Sequence, residues 1–320
     1  MQRPFVMELH EVDNAVIQYS MDDEFWECRN YEASATLPRH LNDHRFSEEK
    51  KAKSILNKSP LPFLAYQKAF DLVKESLNYG NSFLTNLTVE TPIELGTSME
   101  EVFAKARAKY KLFVKDNFLC YSPETFVQIT PKGKVSSFPM KGTIDAKLPN
   151  AEQLILNDLK EKYEHTTIVD LIRNDLSRIC NKVWVERFRY LEKIQKDDGQ
   201  ELLQVSSEVC GQLPKDWKDN IGDIFEKLLP AGSISGAPKN KTVSIIQEAE
   251  KLTYENGKRG FYTGIFGVFD GERLNSAVMI RFIEKRNGQF FFKSGGGITT
   301  RSDARKEYDE MVNKIYLPLG

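Results

Sequence analysis

The sequence predicts an α+β fold in a single domain. Stretches with helical spacing of apolar residues alternate with short strand-like stretches throughout the 320 residues, which is typical of that class. Between residues 261 and 298, three apolar strands are separated by Asp270-Gly271 and Asn287-Gly288. These dipeptides favour tight turns between antiparallel strands. A chain of this length without repeats or low-complexity segments can bury one large core.

The N-terminal part begins with strands and leads into a helix. Residues 1–35 show the alternating polarity of short strands, whereas residues 36–60 are polar and indicate a loop or an exposed helix. From Leu64, apolar residues recur on one helical face until Gly80 ends the helix. We therefore predict a short N-terminal strand and loop region, 1–60, packed on the core, and a main domain, 61–320.

The remaining elements follow from similar patterns. Strand patterns cover six further segments, at residues 81–93 (ended by Pro92), 112–122, 125–130, 134–140, 183–195 and 202–213. Helical patterns cover residues 98–109 and 151–180, and two more helices start near Pro238 and Asp303. We expect Ser233 or Ser235 to cap the helix at Pro238.

The composition excludes several classes of protein. The net charge is −1, so no basic field would hold nucleic acid or an anionic membrane. No apolar run is long enough to span a bilayer, and the N-terminus lacks the apolar core of a signal peptide. The four cysteines are scattered without metal-site spacing, as in reduced cytosolic proteins. We expect a cytoplasmic protein with no nucleic acid or membrane partner.

Two helical segments carry acidic pairs at spacing three, Glu161 with Glu164 and Glu307 with Glu310. Such pairs lie on one helical face and repel each other. A divalent cation would relieve the repulsion, and Mg²⁺ prefers a few carboxylates plus water and an anionic ligand. The alternative is that each pair is a solvated surface. The apolar residues that follow Glu164 favour a helix that is at least half buried.

A run of three glycines, Gly295, Gly296 and Gly297, precedes the last predicted helix. We interpret it as a loop that turns backbone N–H groups toward an anion near the helix start. The spacing is not that of a nucleotide-binding loop, so a carboxylate is a better ligand than a phosphate. The alternative is a tight turn without a ligand.

Lys141 stands in the segment "SSFPMKGTID", between an apolar stretch and a glycine. One interpretation is a lysine paired to a carboxylate. The other is a nucleophile, since burial beside Phe138 and Met140 would lower the pKa of its amine.

Several motifs together resemble the chorismate-utilising enzymes. They are "IVDLIRNDLSRIC", "GSISGAPK", "GFYTGIFG", "AVMIRF", "GGGI" and "KEYDEMVNK", in this order, within a similarity that runs from about Tyr66 to the C-terminus. The resemblance implies a single α+β domain with two orthogonally packed antiparallel sheets, covered by helices on both outer sides.

The resemblance also implies Mg²⁺, chorismate and a set of binding residues. Glu164 and Glu310 would be direct metal ligands, with Glu161 and Glu307 acting through water. The family's substrate-binding positions match Arg281 and Tyr262 for the enolpyruvyl carboxylate, Lys314 and the three glycines for the ring carboxylate, and Thr143 and Ser233 for the pocket lining. Glu124, in "YSPET", would be the general acid, with a pKa raised by burial.

The choice of reaction depends on Lys141. The segment "PMKGT" is similar to the lysine motif of the family's aminodeoxychorismate synthases. They aminate chorismate with ammonia from a separate glutamine amidotransferase subunit, for para-aminobenzoate and folate biosynthesis. Leu84 stands where a water-activating lysine of the isochorismate group would fall, and Gln204 replaces a frequent histidine. The alternatives are anthranilate, isochorismate or salicylate formation, and a non-catalytic binding subunit.

Overall fold

The computed structural model of the protein describes residues 15–20, 25–30, 33–36, 56–195 and 201–319. In these ranges the chain is a mixed α+β protein with two large antiparallel sheets and flanking helices, as predicted, together with a separate two-stranded sheet. The strands are β1 (Ala15–Ser20), β2 (Phe25–Asn30), β3 (Ala33–Thr36), β4 (Leu56–Lys58), β5 (Leu84–Leu95), β6 (Tyr110–Val114), β7 (Phe118–Ser122), β8 (Thr125–Ile129), β9 (Lys134–Ser137), β10 (Met140–Asp145), β11 (Lys182–Gln195), β12 (Glu201–Gln212), β13 (Gly236–Ala237), β14 (Ile265–Phe269), β15 (Leu274–Val278), β16 (Phe282–Arg286) and β17 (Gln289–Ile298). The helices are α1 (Phe63–Asn78), α2 (Met99–Lys105), α3 (Ala151–Asn157), α4 (Leu159–Ser177), α5 (Ile221–Leu228), α6 (Gly232–Ser235), α7 (Lys239–Glu250) and α8 (Ala304–Asn313).

The chain divides into two compact units. The first unit contains the described residues up to Glu124, together with Ile234–Phe266 and the residues from Ala277 onward. The second unit contains Thr125–Ser233 and Gly267–Ser276. The predicted division near residue 60 stays a prediction. Most of the polar segment predicted at residues 36–60 lies outside the described residues.

The sheet of the first unit has the strand order β13-β5-β17-β16-β7-β6-β3, and β4 also pairs with β5. Its central pair is the antiparallel ladder of β5 and β17, which runs from Phe290 opposite Ile93 to Ile298 opposite Thr85. Helices α1, α7 and α8 share one hydrophobic core with these strands. In α1, five apolar side chains at helical spacing are buried, as predicted: Tyr66, Ala69, Phe70, Val73 and Leu77. This core holds α8 against the end of β17.

The sheet of the second unit has the order β10-β12-β9-β8-β15-β14, and β11 pairs with β12. Helices α3 and α4 contact β10 and β12. The α4 face that includes Ile168, Val169 and Ile172 is buried, as the apolar run after Glu164 indicated. Among the described helices, none is long and apolar enough to cross a membrane.

Two predicted helices differ in extent from those in the structure. The region 151–180 is two helices, because Asp158 takes an extended conformation and its side chain caps α4 by accepting from Glu161 N at 2.9 Å. The helix predicted at 98–109 ends at Lys105. Ala106 is extended there and bridges to Leu319. In both cases a tertiary or capping contact overrides the helical pattern.

Three strand predictions were also wrong in detail. Pro92 does not end β5, which continues to Leu95. Residues 261–264 form turns rather than a strand, with Thr263 at φ 65°. The segment 275–286 is interrupted at Arg281, which has φ 57°. Side chains other than glycine rarely adopt such angles, and the sequence pattern gave no sign of them.

Around the glycine-rich segment 230–239, the serine-cap prediction was wrong. Ser233 and Ser235 lie in the short helix α6, and α7 is preceded by Pro238 with no side-chain cap. Helix α5, with a 3₁₀ turn at Trp217–Asn220 before it, was absent from the sequence interpretation.

Candidate active site

In the second unit, Lys141 of β10 forms an ion pair with Glu164 of α4. Lys141 Nζ lies 2.8 Å from Glu164 Oε2, and the side chains are 32% and 6% exposed. This contact matches the first interpretation of Lys141, a lysine paired to a carboxylate. The burial of Lys141 is less complete than the sequence suggested, and its role as a nucleophile stays a prediction.

Lys141 and Gly142 lie at an irregularity of the β10 strand. The pairing of β10 with β12 shifts register between Met140, which is opposite Ser206, and Thr143, which is opposite Gln204. Extra residues at such bulges turn a side chain out of the regular alternation and are frequent beside active sites. The strand therefore gives Lys141 an orientation that an unbroken ladder would not.

Gly142 is required at this irregularity for two reasons. Its φ is +85°, a conformation that favours glycine. A Cβ on Gly142 would also stand 3.0 Å from Glu161 Oε2. The Gly142 backbone and the Lys141 side chain therefore meet the two carboxylates at the start of α4, Glu161 and Glu164.

The start of α4 brings these carboxylates together. Asp158 caps the helix, which places Glu161 in its first turn, where the helix dipole favours negative charge. Glu164 follows three residues later on the same face and is buried. Farther along the helix, Leu171 and Asp175 pack against Gly232, where a Cβ would stand 2.7 Å from Leu171 Cδ2. The close packing of Gly232 against α4 therefore also holds the next residue, Ser233, near this helix.

In the first unit, the three glycines lie inside β17, so the predicted glycine loop was wrong. Gly295, Gly296 and Gly297 pair with Thr88, Leu87 and Asn86 of β5. A Cβ on Gly295 would stand 2.3 Å from Leu87 O, so glycine is needed for the close approach of the strands. The start of α8 lies farther along the chain, at Ala304, with Asp303 as its cap.

Gly296 nevertheless faces a cluster of charged side chains from α8. A Cβ on Gly296 would stand 3.6 Å from Lys314 Nζ and 3.7 Å from Glu307 Oε2 and Glu310 Oε1. Lys314 Nζ lies 2.8 Å from Glu310 Oε1 and donates to Gly295 O at 2.8 Å. The structure thus brings together Gly296 of β17 with Glu307, Glu310 and Lys314 at α8. Their roles in binding a metal or a carboxylate stay predictions.

Arg281 and Tyr262 also belong to the first unit. Arg281 stands between β15 and β16, and its backbone oxygen accepts from Tyr121 N at 3.1 Å. Tyr262 is 5% exposed, and burial raises its pKa, while the nearby positive charges of Arg259 and Arg281 oppose the rise. Arg281 therefore acts electrostatically on the Tyr262 hydroxyl.

Glu124 follows β7 and is half-buried. Its backbone N donates to Ser122 Oγ at 3.1 Å, and its backbone oxygen accepts from Val278 N at 3.1 Å. These contacts fix the main chain at Glu124. Its predicted role as a proton donor stays a prediction.

The carboxylates fit a hard cation such as Mg²⁺ in their chemistry. Each unit supplies two glutamates at spacing three, and oxygen donors suit Mg²⁺, which keeps several waters and needs few protein ligands. A Cβ on Gly296 would make only ordinary van der Waals contacts with Lys314, Glu307 and Glu310, so an atom of that size fits beside these side chains. No group of three or more His, Cys, Asp or Glu side chains that could hold a metal occurs among the described residues, so either pair alone would leave most positions on a cation to water and a further ligand.

The sequence interpretation did not identify Tyr316, which contacts the predicted site residue Arg281. Its hydroxyl lies 3.4 Å from Arg281 Nε. An aromatic residue shortly after a helix end carries no sequence signal for such a contact.

With this fold and these residues, the chain belongs to the chorismate binding enzyme family, which it matches over residues 6–320. It is 52% identical over 262 residues to an uncharacterized PabA-like protein of Haemophilus influenzae, covering 82% of this chain and 78% of the relative. It is 31% identical to aminodeoxychorismate synthase component 1 of Bacillus subtilis, covering 78% of this chain and 54% of the relative. The chain therefore spans about half the length of that relative.

A solved structure supports the same assignment. Anthranilate synthase component I from Streptococcus pneumoniae superposes with a TM-score of 0.68 at 26% identity, over 81% of this chain and 58% of that one. The chain is thus an enzyme of the chorismate-utilising class, and relatives that carry out different reactions are similar to it at comparable levels.

Proposed function

We propose that the protein is an aminodeoxychorismate synthase component I, which converts chorismate and ammonia to 4-amino-4-deoxychorismate. The observation that carries the proposal is the position of Lys141 on the irregular part of β10, 2.8 Å from Glu164 and next to Gly142, which packs on Glu161. A lysine amine at this place is suited to covalent chemistry on a bound ring.

The proposed reaction is a double displacement on the cyclohexadiene ring. The Lys141 amine forms a bond to C2, the two conjugated ring double bonds each shift by one position, and the C4–oxygen bond breaks. Glu124 gives a proton to the departing hydroxyl, which leaves as water. Ammonia then forms a bond to C4 and the C2–nitrogen bond to Lys141 breaks. The enolpyruvyl group is retained in the product.

A lysine amine attacks only without its proton. Glu164 Oε2 lies 2.8 Å from Lys141 Nζ, and an adjacent carboxylate favours the charged amine. A Mg²⁺ ion held by Glu164 would offset this carboxylate charge and favour the neutral, nucleophilic amine.

The other predicted residues bind and orient the substrate in this proposal. Arg281 and Tyr262 hold the enolpyruvyl carboxylate, for which a planar guanidinium is well suited. Lys314 and the Gly295–Gly297 strand contact the ring carboxylate, and Thr143 and Ser233 line the pocket. Glu161, Glu164, Glu307 and Glu310 are the proposed ligands of Mg²⁺, which when bound supplies positive charge to the ring carboxylate.

Ammonia would come from a separate glutamine amidotransferase subunit, and the product would serve para-aminobenzoate and folate biosynthesis in the cytoplasm. The name of the B. subtilis relative supports the reaction.

A product assay tests the proposal. The protein is incubated with chorismate, ammonium chloride and MgCl₂, and the products are separated by chromatography and identified by mass spectrometry. We expect 4-amino-4-deoxychorismate, dependent on ammonium and lost after treatment with EDTA. An ion-exchanged sample restored with MgCl₂ controls for damage by the chelator.

Anthranilate formation is the second candidate, supported by the structural similarity to S. pneumoniae anthranilate synthase component I. It would appear in the same assay as a fluorescent product with release of pyruvate. Anthranilate, isochorismate or salicylate as the main product would refute the proposed reaction. Chorismate binding without turnover at high ammonium would indicate a non-catalytic binding subunit.

A further inference from the structure

Two arginines of the first unit, Arg259 and Arg286, form ion pairs with buried glutamates, whereas Arg281 forms none among the described residues. Arg259 donates from Nε and Nη2 to both oxygens of Glu250, and Arg286 donates to Glu90 at 2.8 and 3.0 Å. Among the described residues, Arg281 has no acidic partner. Its side chain makes a hydrogen bond from Nε to the Tyr316 hydroxyl at 3.4 Å.

Tyr316 also contacts the cation through its ring. The guanidinium carbon of Arg281 lies 5.7 Å from the Tyr316 ring centroid, within the range of a cation–π interaction. In the described part of the chain, the two Nη groups of Arg281 have no hydrogen-bond partner. The Nε contact and the ring therefore restrain the guanidinium and leave its two-nitrogen edge available.

The main chains of both residues are fixed by one buried residue, Tyr121, through its backbone N and its hydroxyl. Tyr121 N donates to Arg281 O at 3.1 Å, and Tyr121 Oη donates to Tyr316 O at 2.6 Å. Tyr121 is 2% exposed, and its ring packs against Phe292 of the sheet at 6.3 Å. Arg281 and Tyr316, 35 positions apart in the sequence, therefore share one rigid support.

Arg281 has a backbone conformation that costs free energy. Its φ of 57° is unfavourable for a long side chain, and such angles persist where the surroundings enforce them. The Tyr121 hydrogen bond is one such constraint. An arginine that is strained, half-buried and without an acid is suited to bind an anion that comes from outside the chain.

We propose that Tyr316 is a positioning residue that orients Arg281 so that its two Nη groups bind a substrate carboxylate side by side. This inference rests on the proposed function, in which Arg281 holds the enolpyruvyl carboxylate of chorismate. A guanidinium held from its Nε side presents the remaining fork to one carboxylate, the geometry of the strongest arginine–carboxylate pairs. Without Tyr316 the guanidinium would be free to rotate. Substrate binding would then have to order it, which lowers the affinity for the substrate.

Direct binding of chorismate tests this role without requiring turnover. Dissociation constants are measured by calorimetry with chorismate and MgCl₂ but no ammonium. We expect Tyr316→Phe, which keeps the ring, to weaken binding about 2- to 5-fold, and Tyr316→Ala to weaken it about 10-fold. Tyr79→Ala is the matched control, because Tyr79 is 85% exposed in the same unit, and it should bind like wild type.

A double-mutant cycle with Arg281→Ala separates positioning from a general structural effect. If Tyr316 acts through Arg281, Tyr316→Phe should cause no further loss of affinity once Arg281 is alanine. In steady-state assays with ammonium, the Tyr316 variants should raise KM and leave kcat near the wild-type value, as expected for uniform binding. Unchanged melting temperatures show that the fold is intact.

The outcomes distinguish this inference from the proposed function. If wild type binds chorismate and the Tyr316 variants bind equally well, or if the two losses simply add, the positioning role is overturned whatever the product is. If wild type binds chorismate but forms another product, only the proposed reaction fails. If wild type does not bind chorismate, both fail.

Discussion

Lys141 and Glu164 form an ion pair between a strand and a helix, with 2.8 Å between Nζ and Oε2. Because Glu164 is 6% exposed, removal of the lysine charge would leave a buried carboxylate without this partner. Lys141 could therefore matter for stability, for catalysis or for both. Two variants of this residue separate the possibilities.

Lys141→Ala and Lys141→Arg differ in which property they keep. Alanine removes both the charge and the amine, so the free energy of unfolding should fall by about 1–3 kcal/mol, a moderate value for a partly exposed pair. Arginine keeps the charge but is not nucleophilic at neutral pH, so it should preserve stability and abolish aminodeoxychorismate formation. Urea unfolding and the product assay measure the two properties. Activity of Lys141→Arg near the wild-type level would remove Lys141 as the nucleophile.

Glu124→Gln should leave the protein folded and lower kcat by about 100- to 10,000-fold, the usual range for loss of a general acid. The backbone contacts of Glu124 with Ser122 and Val278 remain in the variant. Glu94→Gln is the control, because Glu94 is an exposed glutamate of the same unit, and its kcat should not change. If Glu124→Gln keeps more than a tenth of the activity, another group donates the proton.

Local sequence patterns predicted the elements that are determined by neighbouring residues in the chain. The apolar face of α1 from Tyr66 to Leu77 is buried as its spacing indicated. The Asn287-Gly288 turn joins β16 to β17, and both of its residues have positive φ, as this dipeptide favours. The acidic pairs also lie on helices as expected.

Features that depend on distant parts of the chain were not predictable in the same way. Three successive glycines look the same in a loop and in a strand, and only the approach of Leu87, some two hundred residues earlier, shows why Gly295 lacks a side chain. The ion pair of Lys141 and the contact of Tyr316 with Arg281 likewise join separate elements. The family resemblance named most of the charged residues, but their partners required the fold.

Gly295→Ala should lower the stability of the protein, whereas Gly296→Ala should lower its affinity for chorismate, although the two residues are adjacent. A Cβ on Gly295 meets Leu87 O at 2.3 Å, so the variant should lose about 1–3 kcal/mol of stability or fail to fold. A Cβ on Gly296 meets nothing nearer than Lys314 Nζ at 3.6 Å, so stability should stay within about 1 kcal/mol. Its methyl group would occupy the space beside Glu307 and Glu310, and chorismate affinity should fall. Calorimetric binding and urea unfolding test the pair, and normal affinity of Gly296→Ala would show that no ligand uses this space.

The buried pair of Arg259 and Glu250 should be important for stability. Arg259 contacts both carboxylate oxygens of Glu250, and Thr88 donates to the same carboxylate from N and Oγ1 at 2.9 and 2.8 Å. Arg259→Leu would leave a buried carboxylate with neutral donors only, and we expect a loss of about 3–5 kcal/mol. The exposed pair of Lys285 and Asp116 is the control, since Asp116→Asn should cost at most about 1 kcal/mol. Equal effects in urea unfolding would contradict the expected dependence on burial.

His165 should make stability depend on pH in the acidic range. It is 1% exposed, its Nε2 lies 2.6 Å from Ser207 Oγ, and burial lowers its pKa to about 4, helped by the positive charges of Arg189 and Lys141. In the unfolded chain the pKa of histidine is ~6.5. Between these values the unfolded chain binds a proton that the folded chain does not, so the free energy of unfolding should fall as the pH decreases from about 6.5 to about 4.

His165→Gln isolates this contribution, because an amide retains hydrogen bonding to Ser207 and does not titrate. Between pH 7 and pH 5, wild type should lose about 1–2 kcal/mol more than the variant in urea unfolding. The other histidines and all carboxyl groups are common to both proteins, so the difference between their pH profiles reports on His165. Parallel profiles would mean that the folded protein tolerates a charged imidazole at this position.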